Sequence, residues 1–434
     1  MNEVGQGIRG IGAVELDALE GCHVPRITIA AFCETEAAAE TIAAAAADRR
    51  MARATVEVRP GGIPGAIEVY REAPSPDLLI LESRAAGADL LNALEGLADT
   101  CDADTKVMVV GTSNDVMLYR ELLDRGIADY LAGPLSQASI IAAIGRIYRD
   151  GEPRKLGKTC AFIGAKGGVG ASTVAHNVAH GLADLASKVI LADMDLPFGT
   201  VGLDFNMDVE QGIAEAIDDS GRLDELLLDR LLVRCTDHLS LLTAPAVLGR
   251  AYDLGEQAFE QMLEIARAQA PNVVLDIPHL WTGWARRTLT AADEVVIVAE
   301  PDLANLRNAK SLVEFLLQAR PNDAPPKLVL NRVGMPKRPE IKPAEFAAAV
   351  RLEPIARIAF DPALFGIAAN KGQMIASVSA KSPACGAFAE VAGIIAGRAD
   401  AGARRKGSLG GKLLSALTGR RQGEAAVKQA AAKS

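Results

Sequence analysis

The 434-residue chain has few aromatic residues, no closely spaced cysteine pair and no apolar run long enough to cross a membrane. Aromatic residues make up 4% of a chain that is 49% hydrophobic, which predicts an α/β protein with cores of alanine, leucine and valine. The six cysteines include no C-x-x-C pair, so neither a zinc ribbon nor a disulfide framework is expected. No stretch reaches the ~18 apolar residues of a membrane span, and the start has no secretion-signal pattern. We therefore expect a cytoplasmic protein.

Charge is distributed unevenly along the chain. The formal net charge is −9, but residues 404–434 carry eight basic residues and one acidic residue, which leaves −16 for the rest. An acidic body argues against nonspecific nucleic-acid binding, so nucleic acid is not an expected partner. In the basic tail, Leu413, Leu414 and Leu417 share one helical face. This pattern predicts a weak membrane or partner contact, with a solvated tail as the alternative.

Alternating strand-like and helix-like segments predict two α/β units, each with a doubly wound parallel sheet. The first contains five apolar strand segments separated by helical stretches. The second begins with a buried strand that leads into a glycine-rich loop. The expected organisation is a flexible leader at 1–25, a receiver-like unit at 26–150, a linker at 151–157, a P-loop unit at 158–398 and a basic flexible tail at 399–434.

The glycine-rich loop is the main functional signal. Its glycines allow successive backbone N–H groups to turn toward a polyphosphate, and the following helix adds the partial positive charge of its N-terminus. Ser172 stands where a hydroxyl binds Mg²⁺, and Lys166 is near enough to reach a phosphate. A glycine-rich turn without a ligand is the alternative. The candidate phosphate-binding residues are Gly167, Gly168, Val169, Gly170, Ala171, Ser172 and Thr173.

The loop lacks one expected residue. The usual pattern G-x-x-x-x-G-K-[ST] places a lysine directly before the hydroxyl residue, and this chain has Ala171 there. An electrostatic donor of this kind is worth about 10²–10³ in rate. We therefore expect slow or absent hydrolysis of a bound nucleotide.

Carboxylates end two further strands. Asp193 and Asp195 are two residues apart, so in a strand both can face the phosphate site; a solvated strand end is the alternative. Asp276 ends an apolar run and is predicted to accept a hydrogen bond from a Mg²⁺-bound water. His176 and His180 mimic the zinc motif H-E-x-x-H but lack its glutamate, so we expect no zinc there.

The run Lys166-Gly-Gly-Val-Gly170 resembles the deviant Walker A loop of the MinD/ParA family of P-loop ATPases. The resemblance implies ATP and Mg²⁺ as ligands. It also implies a homodimer bridged by ATP, in which Lys166 of each subunit reaches the other subunit's nucleotide. Lys166 is therefore a catalytic candidate.

The same resemblance assigns the other candidates. Ser172, Asp193 and Asp276 would hold Mg²⁺, and Asp195 would orient the attacking water as the second catalytic residue. Asn331 and Arg332 resemble the family's adenine-contacting N-R pair. Asn331 can match an amino group and a ring nitrogen together. A strand-end asparagine satisfied within the protein is the alternative.

Residues 26–150 resemble a response-regulator receiver domain in their order of elements but not in their chemistry. Glu82 occupies the position of the phospho-accepting aspartate, and Gly133 occupies that of the lysine. The resemblance thus implies an atypical receiver used for docking or dimerisation. A phosphorylated switch is the alternative.

The atypical receiver and the Gly-Val-Gly-Ala-Ser-Thr loop at 168–173 together resemble the CpaE/TadZ proteins of Tad/Flp pilus assembly, as do residues 276–281 and 300–309. The resemblance implies a cytoplasmic factor near the inner membrane that binds ATP, dimerises and marks a cell pole. The implied partners are the Tad/Flp pilus secretion ATPase and polar landmark proteins. A ParA-like DNA-partitioning ATPase and an atypical two-component output regulator are the alternatives.

Overall fold

Two sheets organise the part of the chain that the structure describes. The structure is a computed structural model, and it describes residue 19 and residues 24–102, 104–148, 156–209, 211–218, 222–244, 248–249 and 252–398. The predicted tail lies outside the described residues, as do most of the predicted leader and linker. The limits predicted for the units therefore stay predictions.

The first sheet is parallel, with strand order β2-β1-β3-β4-β5. Hydrophobic clusters cover both of its faces, which explains the continuous apolar runs of its strands. Its strands are β1 (Thr28–Cys33), β2 (Thr55–Pro60), β3 (Leu78–Glu82), β4 (Lys106–Gly111) and β5 (Asp129–Ala132). Its helices are α1 (Glu36–Ala46), α2 (Gly62–Tyr70), α3 (Ala88–Ala98), α4 (Val116–Asp124) and α5 (Gln137–Ile147).

The second sheet has the order β13-β12-β11-β6-β10-β7-β9-β8. All its pairings are parallel except that of β8 with β9. Two doubly wound sheets were predicted, and this is confirmed; the short strands β8 and β9 and the edge strand β13 were not foreseen. The strands are β6 (Lys158–Gly164), β7 (Val189–Asp193), β8 (Val233–Arg234), β9 (Leu239–Leu242), β10 (Asn272–Ile277), β11 (Glu294–Ala299), β12 (Lys327–Val333) and β13 (Pro354–Ala359).

Helices cover both faces of the second sheet and enclose two hydrophobic clusters. None of the helices in the described part of the chain combines the length and the hydropathy that a membrane span requires. The helices are α6 (Ala171–Asp184), α7 (Val201–Asp204), α8 (Ile213–Asp218), α9 (Glu225–Leu231), α10 (Glu260–Gln269), α11 (Gly283–Ala291), α12 (Leu303–Ala319), α13 (Pro343–Val350), α14 (Pro362–Lys371), α15 (Ile375–Ser379) and α16 (Pro383–Ile395).

Three adjacent strands of the second sheet bring the sequence motifs to one edge. β10 lies between β6 and β7, and in its register Asp276 is opposite Asp193 on one side and Phe162 on the other. The glycine-rich loop follows β6 directly. The loop and the two carboxylates therefore meet at the carboxyl ends of parallel strands, where α/β sheets bind ligands.

A buried ionic cluster joins the two sheet-containing units. Arg49, in the turn after α1, donates from Nε to Asp323 Oδ2 at 2.8 Å, and Arg50 donates to the same carboxylate. Arg320 Nε donates to Asp323 Oδ2 at 3.1 Å. We call these four residues the Asp323 cluster. The exposed fraction of the side chain is 8% for Arg49, 4% for Arg50, 3% for Arg320 and 6% for Asp323. The contact between the units therefore excludes water at this cluster.

Candidate functional site

The glycine-rich loop adopts a conformation that requires glycine. Gly168 and Gly170 have φ angles of +80° and +84°, in the left-handed region. A Cβ on Gly170 would lie 2.7 Å from Asn331 Nδ2, whereas a Cβ on Gly167 or Gly168 would meet nothing within 4 Å. The loop is therefore packed against β12 on one side and open at Gly167 and Gly168, as an amide cradle for a phosphate must be.

Three side chains hold carbonyl groups along this loop. Asn331 Nδ2 donates to the Val169 carbonyl at 2.8 Å. His279 Nδ1 and Asn308 Nδ2 donate to the carbonyls of Gly164 and Ala165, each at 2.8 Å. The sequence patterns at 276–281 and 300–309 include His279 and Asn308 but did not indicate this role. The hydrogen bonds fix the loop before any ligand binds.

The Asn331 amide has a different environment from the one expected for an adenine contact. Its Nδ2 is bonded to the loop, and its Oδ1 accepts from the Arg332 amide at 2.9 Å. Arg332 has a φ of +54° and donates to Glu300 at 2.8 Å. Asn331 is thus satisfied within the protein, and the adenine contact of Asn331 and Arg332 stays a prediction; both residues line the cavity described next.

A cavity of about 350 Å³ lies beside the loop and the end of β12. Its size is that of a small-molecule site. Asn177, which also lines it, accepts from the Ile375 amide at 2.8 Å and so joins α6 to α15 across the cavity wall. Of the predicted residues, it is lined by Gly170, Thr173, Asn331 and Arg332, together with the unforeseen Phe360 and Asp361.

Asp193 and Asp276 are buried side by side at the strand ends. Asp193 accepts from the amides of Asp195 at 3.2 Å and Val201 at 3.1 Å, and so holds the chain that follows β7. Burial and then the negative charge of Asp276 raise the pKa of Asp193. Asp195 accepts from the Phe198 amide at 3.2 Å, and burial is the main cause that raises its pKa as well. A buried pair of carboxylates such as Asp193 and Asp276 is stabilised by a cation or by hydrogen-bond donors.

His176 supplies a donor to this pair, which sequence analysis did not foresee. It is fully buried in α6, with Nε2 3.1 Å from Asp276 Oδ2 and Nδ1 2.8 Å from Asp204 Oδ2. Burial lowers the pKa of His176, but the hydrogen bonds and charges of Asp204 and Asp276 outweigh it and raise the pKa to about 10. The spacing to His180 looked like a zinc motif, and the structure instead directs His176 to two carboxylates.

The donor set fits Mg²⁺ with a phosphate ligand. Aspartate carboxylates and a serine hydroxyl are the hard oxygen ligands that Mg²⁺ prefers. Among the described residues, no three His, Cys, Asp or Glu side chains converge as a ready-made metal site. A magnesium ion here would therefore need phosphate oxygens to complete its coordination, as is usual for this ion.

Comparison with known proteins identifies the family. A solved structure of the pilus assembly protein CpaE from Caulobacter crescentus is 47% identical to this chain, over 29% of this chain and 96% of that chain, with a TM-score of 0.29. The similarity is one of sequence, since the identity of 47% extends over nearly the whole of the Caulobacter chain. The chain belongs to the CpaE type of the MinD/ParA superfamily. This confirms the resemblance found in the sequence.

Other comparisons match the second unit of this CpaE-type protein, either in sequence or in fold. A family model described as an AAA domain matches residues 157–325. The septum site-determining protein MinD of Synechocystis sp. is 31% identical over 153 residues, which are 35% of this chain and 56% of that relative, so the match spans little more than half of its length. The structure of MinD complexed with Mg-ADP from Pyrococcus horikoshii is 18% identical, covers 55% of this chain and 96% of that chain, and has a TM-score of 0.50. At this identity it shows the fold alone.

In the CpaE-type chain most predicted site residues gather at one edge of the second sheet. The loop residues lead into the first turn of α6, with Asp193 and Asp276 on the neighbouring strands. Lys166 is exposed. Burial would raise the pKa of Asp302, but hydrogen bonds from Asn305 and then the charge of Lys166 lower it. The Lys166 ammonium is therefore accessible at the surface, whereas Asp193 and Asp276 are buried.

Proposed function

We propose that this CpaE-type protein binds ATP with Mg²⁺, dimerises with the nucleotide and acts as a localisation factor in Tad/Flp pilus assembly. Its ATP hydrolysis is slow or absent. Its partners are the pilus secretion ATPase and polar landmark proteins, and it works in the cytoplasm at a cell pole, near the inner membrane.

The observation that carries the proposal is the convergence of the glycine loop with Asp193 and Asp276. Gly167 and Gly168 face open space, so backbone N–H groups there are available to a phosphate. The neighbouring cavity, of about 350 Å³, accommodates the nucleoside. MinD from Pyrococcus horikoshii, which has the same fold, was solved with Mg-ADP, and CpaE from Caulobacter crescentus is a pilus assembly protein.

Each protein group has a defined role in this proposal. Ser172, Asp193 and Asp276 would hold Mg²⁺, which would supply positive charge to the phosphates, and Asp195 would orient the water. Ala171 offers no ammonium to the phosphates, so the site binds without the charge that would stabilise the transition state. Lys166 is exposed and supplies its positive charge to the nucleotide of the second subunit. ATP therefore controls the population of the dimer.

The first unit acts in docking or dimerisation rather than in phosphotransfer. The Glu82 carboxylate accepts from the amides of Glu34 at 2.7 Å and Thr35 at 2.8 Å, and from the Thr35 hydroxyl at 2.7 Å. These bonds already engage the group that stands in the phosphoacceptor position. Incubation with a radiolabelled phosphodonor should leave Glu82 and Ser83 unlabelled, and label on either residue would contradict the docking role.

Nucleotide content and oligomeric state, measured together, test the proposal. Size-exclusion chromatography with light scattering should show a dimer with ATP and Mg²⁺ and a monomer with ADP or without nucleotide. Lys166→Ala should abolish the dimer and keep ADP binding. Lys310→Ala is the matched control because Lys310 is 55% exposed on α12 and pairs only weakly with Glu314, at 4.0 Å. A Lys166→Ala protein that still dimerises with ATP would contradict the proposed role of this lysine.

The cellular role needs a separate measurement. A fluorescent fusion should form a polar focus in pilated cells, and Lys166→Ala should disperse it. Gel shifts with nonspecific DNA should show no binding at low salt, and strong salt-sensitive binding would favour a DNA-partitioning role instead. The predicted tail contact, which lies outside the described residues, is tested by liposome sedimentation of the full chain against a chain ending at Ala401.

A further inference from the structure

The side chain of His176 forms hydrogen bonds to both β10 and α7. Its Nε2 lies 3.1 Å from Asp276 Oδ2, at the end of β10, and its Nδ1 lies 2.8 Å from Asp204 Oδ2, at the end of α7. The ring is fully buried and rigid, so a shift of either carboxylate must move the ring or break a hydrogen bond.

The short helix α7 is held at both ends by the predicted magnesium ligands. At its start, the Val201 amide donates to Asp193 Oδ2 at 3.1 Å. At its end, Asp204 bonds to His176, which in turn bonds to Asp276. The Thr200 hydroxyl also donates to Asp204 Oδ2, at 3.2 Å, and fixes that carboxylate relative to the helix start.

Asp204 and His176 also line the cavity beside the loop. The imidazole ring of His176 therefore contacts Asp276, contacts the end of α7 and forms part of the cavity wall. A change at the carboxylates can reach the cavity wall through a single imidazole ring. Partners that orient a metal-binding carboxylate in this way commonly control metal affinity.

We propose that His176 is a positioning residue that couples residues 200–204 to the Asp276 carboxylate, so that magnesium binding and the conformation of α7 depend on each other. This inference rests on the proposed nucleotide binding. His176 lines the cavity, but in this proposal it acts on the magnesium site only through Asp276. It keeps Asp276 in one orientation and transmits a change there to α7.

The test compares ADP affinity in the presence of Mg²⁺ and of EDTA, by isothermal titration calorimetry on the full chain. In His176→Ala and in Asp204→Ala we expect the gain in affinity that Mg²⁺ provides to fall about tenfold or more. Because His176 and Asp204 also line the cavity, the ratio of the affinities with Mg²⁺ and with EDTA in each variant measures the coupling, and the affinity in EDTA measures the cavity contact separately. The double variant should lose no more than either single variant, because both remove the same bridge.

Two further variants separate positioning from a general structural role. Asp204→Asn keeps an acceptor oxygen for His176 and should retain most of the Mg²⁺-dependent gain. His180→Ala is the matched control, because His180 is in the same helix and pairs at 3.2 Å with Asp184, whose side chain is 64% exposed. It should behave as the wild-type protein. Asp204, whose side chain is 27% exposed, keeps the test usable if His176→Ala does not fold.

Hydrogen exchange supplies the second readout. Mg-ADP should slow amide exchange in residues 201–205 of the wild-type protein and not in His176→Ala or Asp204→Ala. Equal loss of ADP affinity with Mg²⁺ and with EDTA would overturn the inference, and so would an unchanged or larger Mg²⁺-dependent gain. If the wild-type protein bound no nucleotide in either condition, the proposed function would fail as well. Wild-type binding with unaltered variants would overturn the coupling alone.

Discussion

Replacing Asp323 with alanine tests whether the two sheet-containing units are held together by the Asp323 cluster. The carboxylate is 6% exposed and accepts hydrogen bonds from Arg49, Arg50 and Arg320. Burial and the nearby charge of Arg49 lower the pKa of Arg320, against the opposing charge of Asp323. Arg49 also pairs with Asp293 at 3.2 Å and Arg50 with Asp48 at 3.1 Å, so the ion pair that Asp323→Ala removes most completely is that of Arg320.

The expected cost follows from this burial. Removing one partner of a buried ion pair costs about 3–5 kcal/mol, because it leaves an uncompensated charge. For a unit of this size, a loss of about 3 kcal/mol corresponds to a fall in melting temperature of roughly 6–12 °C. Differential scanning fluorimetry and calorimetry of the full chain measure this shift.

The same interface provides a matched control. Arg53 donates to Glu264 at 2.6 Å, and this pair also joins the two units, but its side chains are 48% and 45% exposed. An exposed pair contributes at most about 1 kcal/mol, so Glu264→Ala should lower the melting temperature by no more than roughly 2–4 °C. If Asp323→Ala were no more destabilising than Glu264→Ala, the reasoning from burial would be refuted.

The pH dependence of stability gives an independent check on the same residue. Burial would raise the pKa of Asp323, but the hydrogen bond and charge of Arg49, with the charges of Arg320 and Arg50, lower it below the ordinary value of 3.8. A carboxylate with a depressed pKa stabilises the fold above its unfolded pKa, and this stability is lost as the pH falls through the folded pKa. Urea unfolding at a series of acidic pH values should therefore show less pH dependence in Asp323→Asn than in the wild-type protein.

Three variants of the candidate site extend these tests. Gly170→Ala imposes a left-handed φ on alanine and a contact with Asn331, so it should lower the free energy of unfolding by about 1–3 kcal/mol, measured by thermal unfolding. Gly167→Ala, at an open position, should lower it much less. Equal losses of stability in the two variants would contradict the loop geometry. Asn331→Ala removes the donor to the Val169 carbonyl, so we expect the free energy of unfolding to fall by about 1 kcal/mol and ADP to bind more weakly, as measured by calorimetry. Unchanged ADP affinity would show that the loop does not need this hydrogen bond. Ala171→Lys restores the missing ammonium and should raise ATP turnover by about 10²–10³ in a phosphate-release assay. Unchanged turnover would show that another feature limits hydrolysis.

The fold and the outline of the site were predictable from local sequence. Buried parallel strands read as continuous apolar runs, and the glycines before α6 mark a turn that other residues do not adopt. Asp193 and Asp276 were found because each ends such a run. The short strands β8 and β9 and the edge strand β13 were missed because strands that are short or at a sheet edge depend on their neighbours more than on their own pattern.

The partners of the polar side chains were not predictable in the same way. His176 contacts Asp276, which is 100 residues away in sequence, and Asp323 contacts Arg49 at a separation of 274 residues. Spacing along one helix made His176 resemble half of a zinc motif. The carboxylates that engage it come from β10 and α7, and their positions depend on how the sheet and its connections pack.

The sequence by itself determined which chemical groups this protein has and in which order along the chain they reach the edge of the sheet. Local backbone preference and burial are enough for that. Only the tertiary structure decided that Asn331 supports the loop, that His176 joins two carboxylates and that Asp323 joins two units. Each of these depends on distances of about 3 Å between groups that the chain keeps far apart until the sheets have formed.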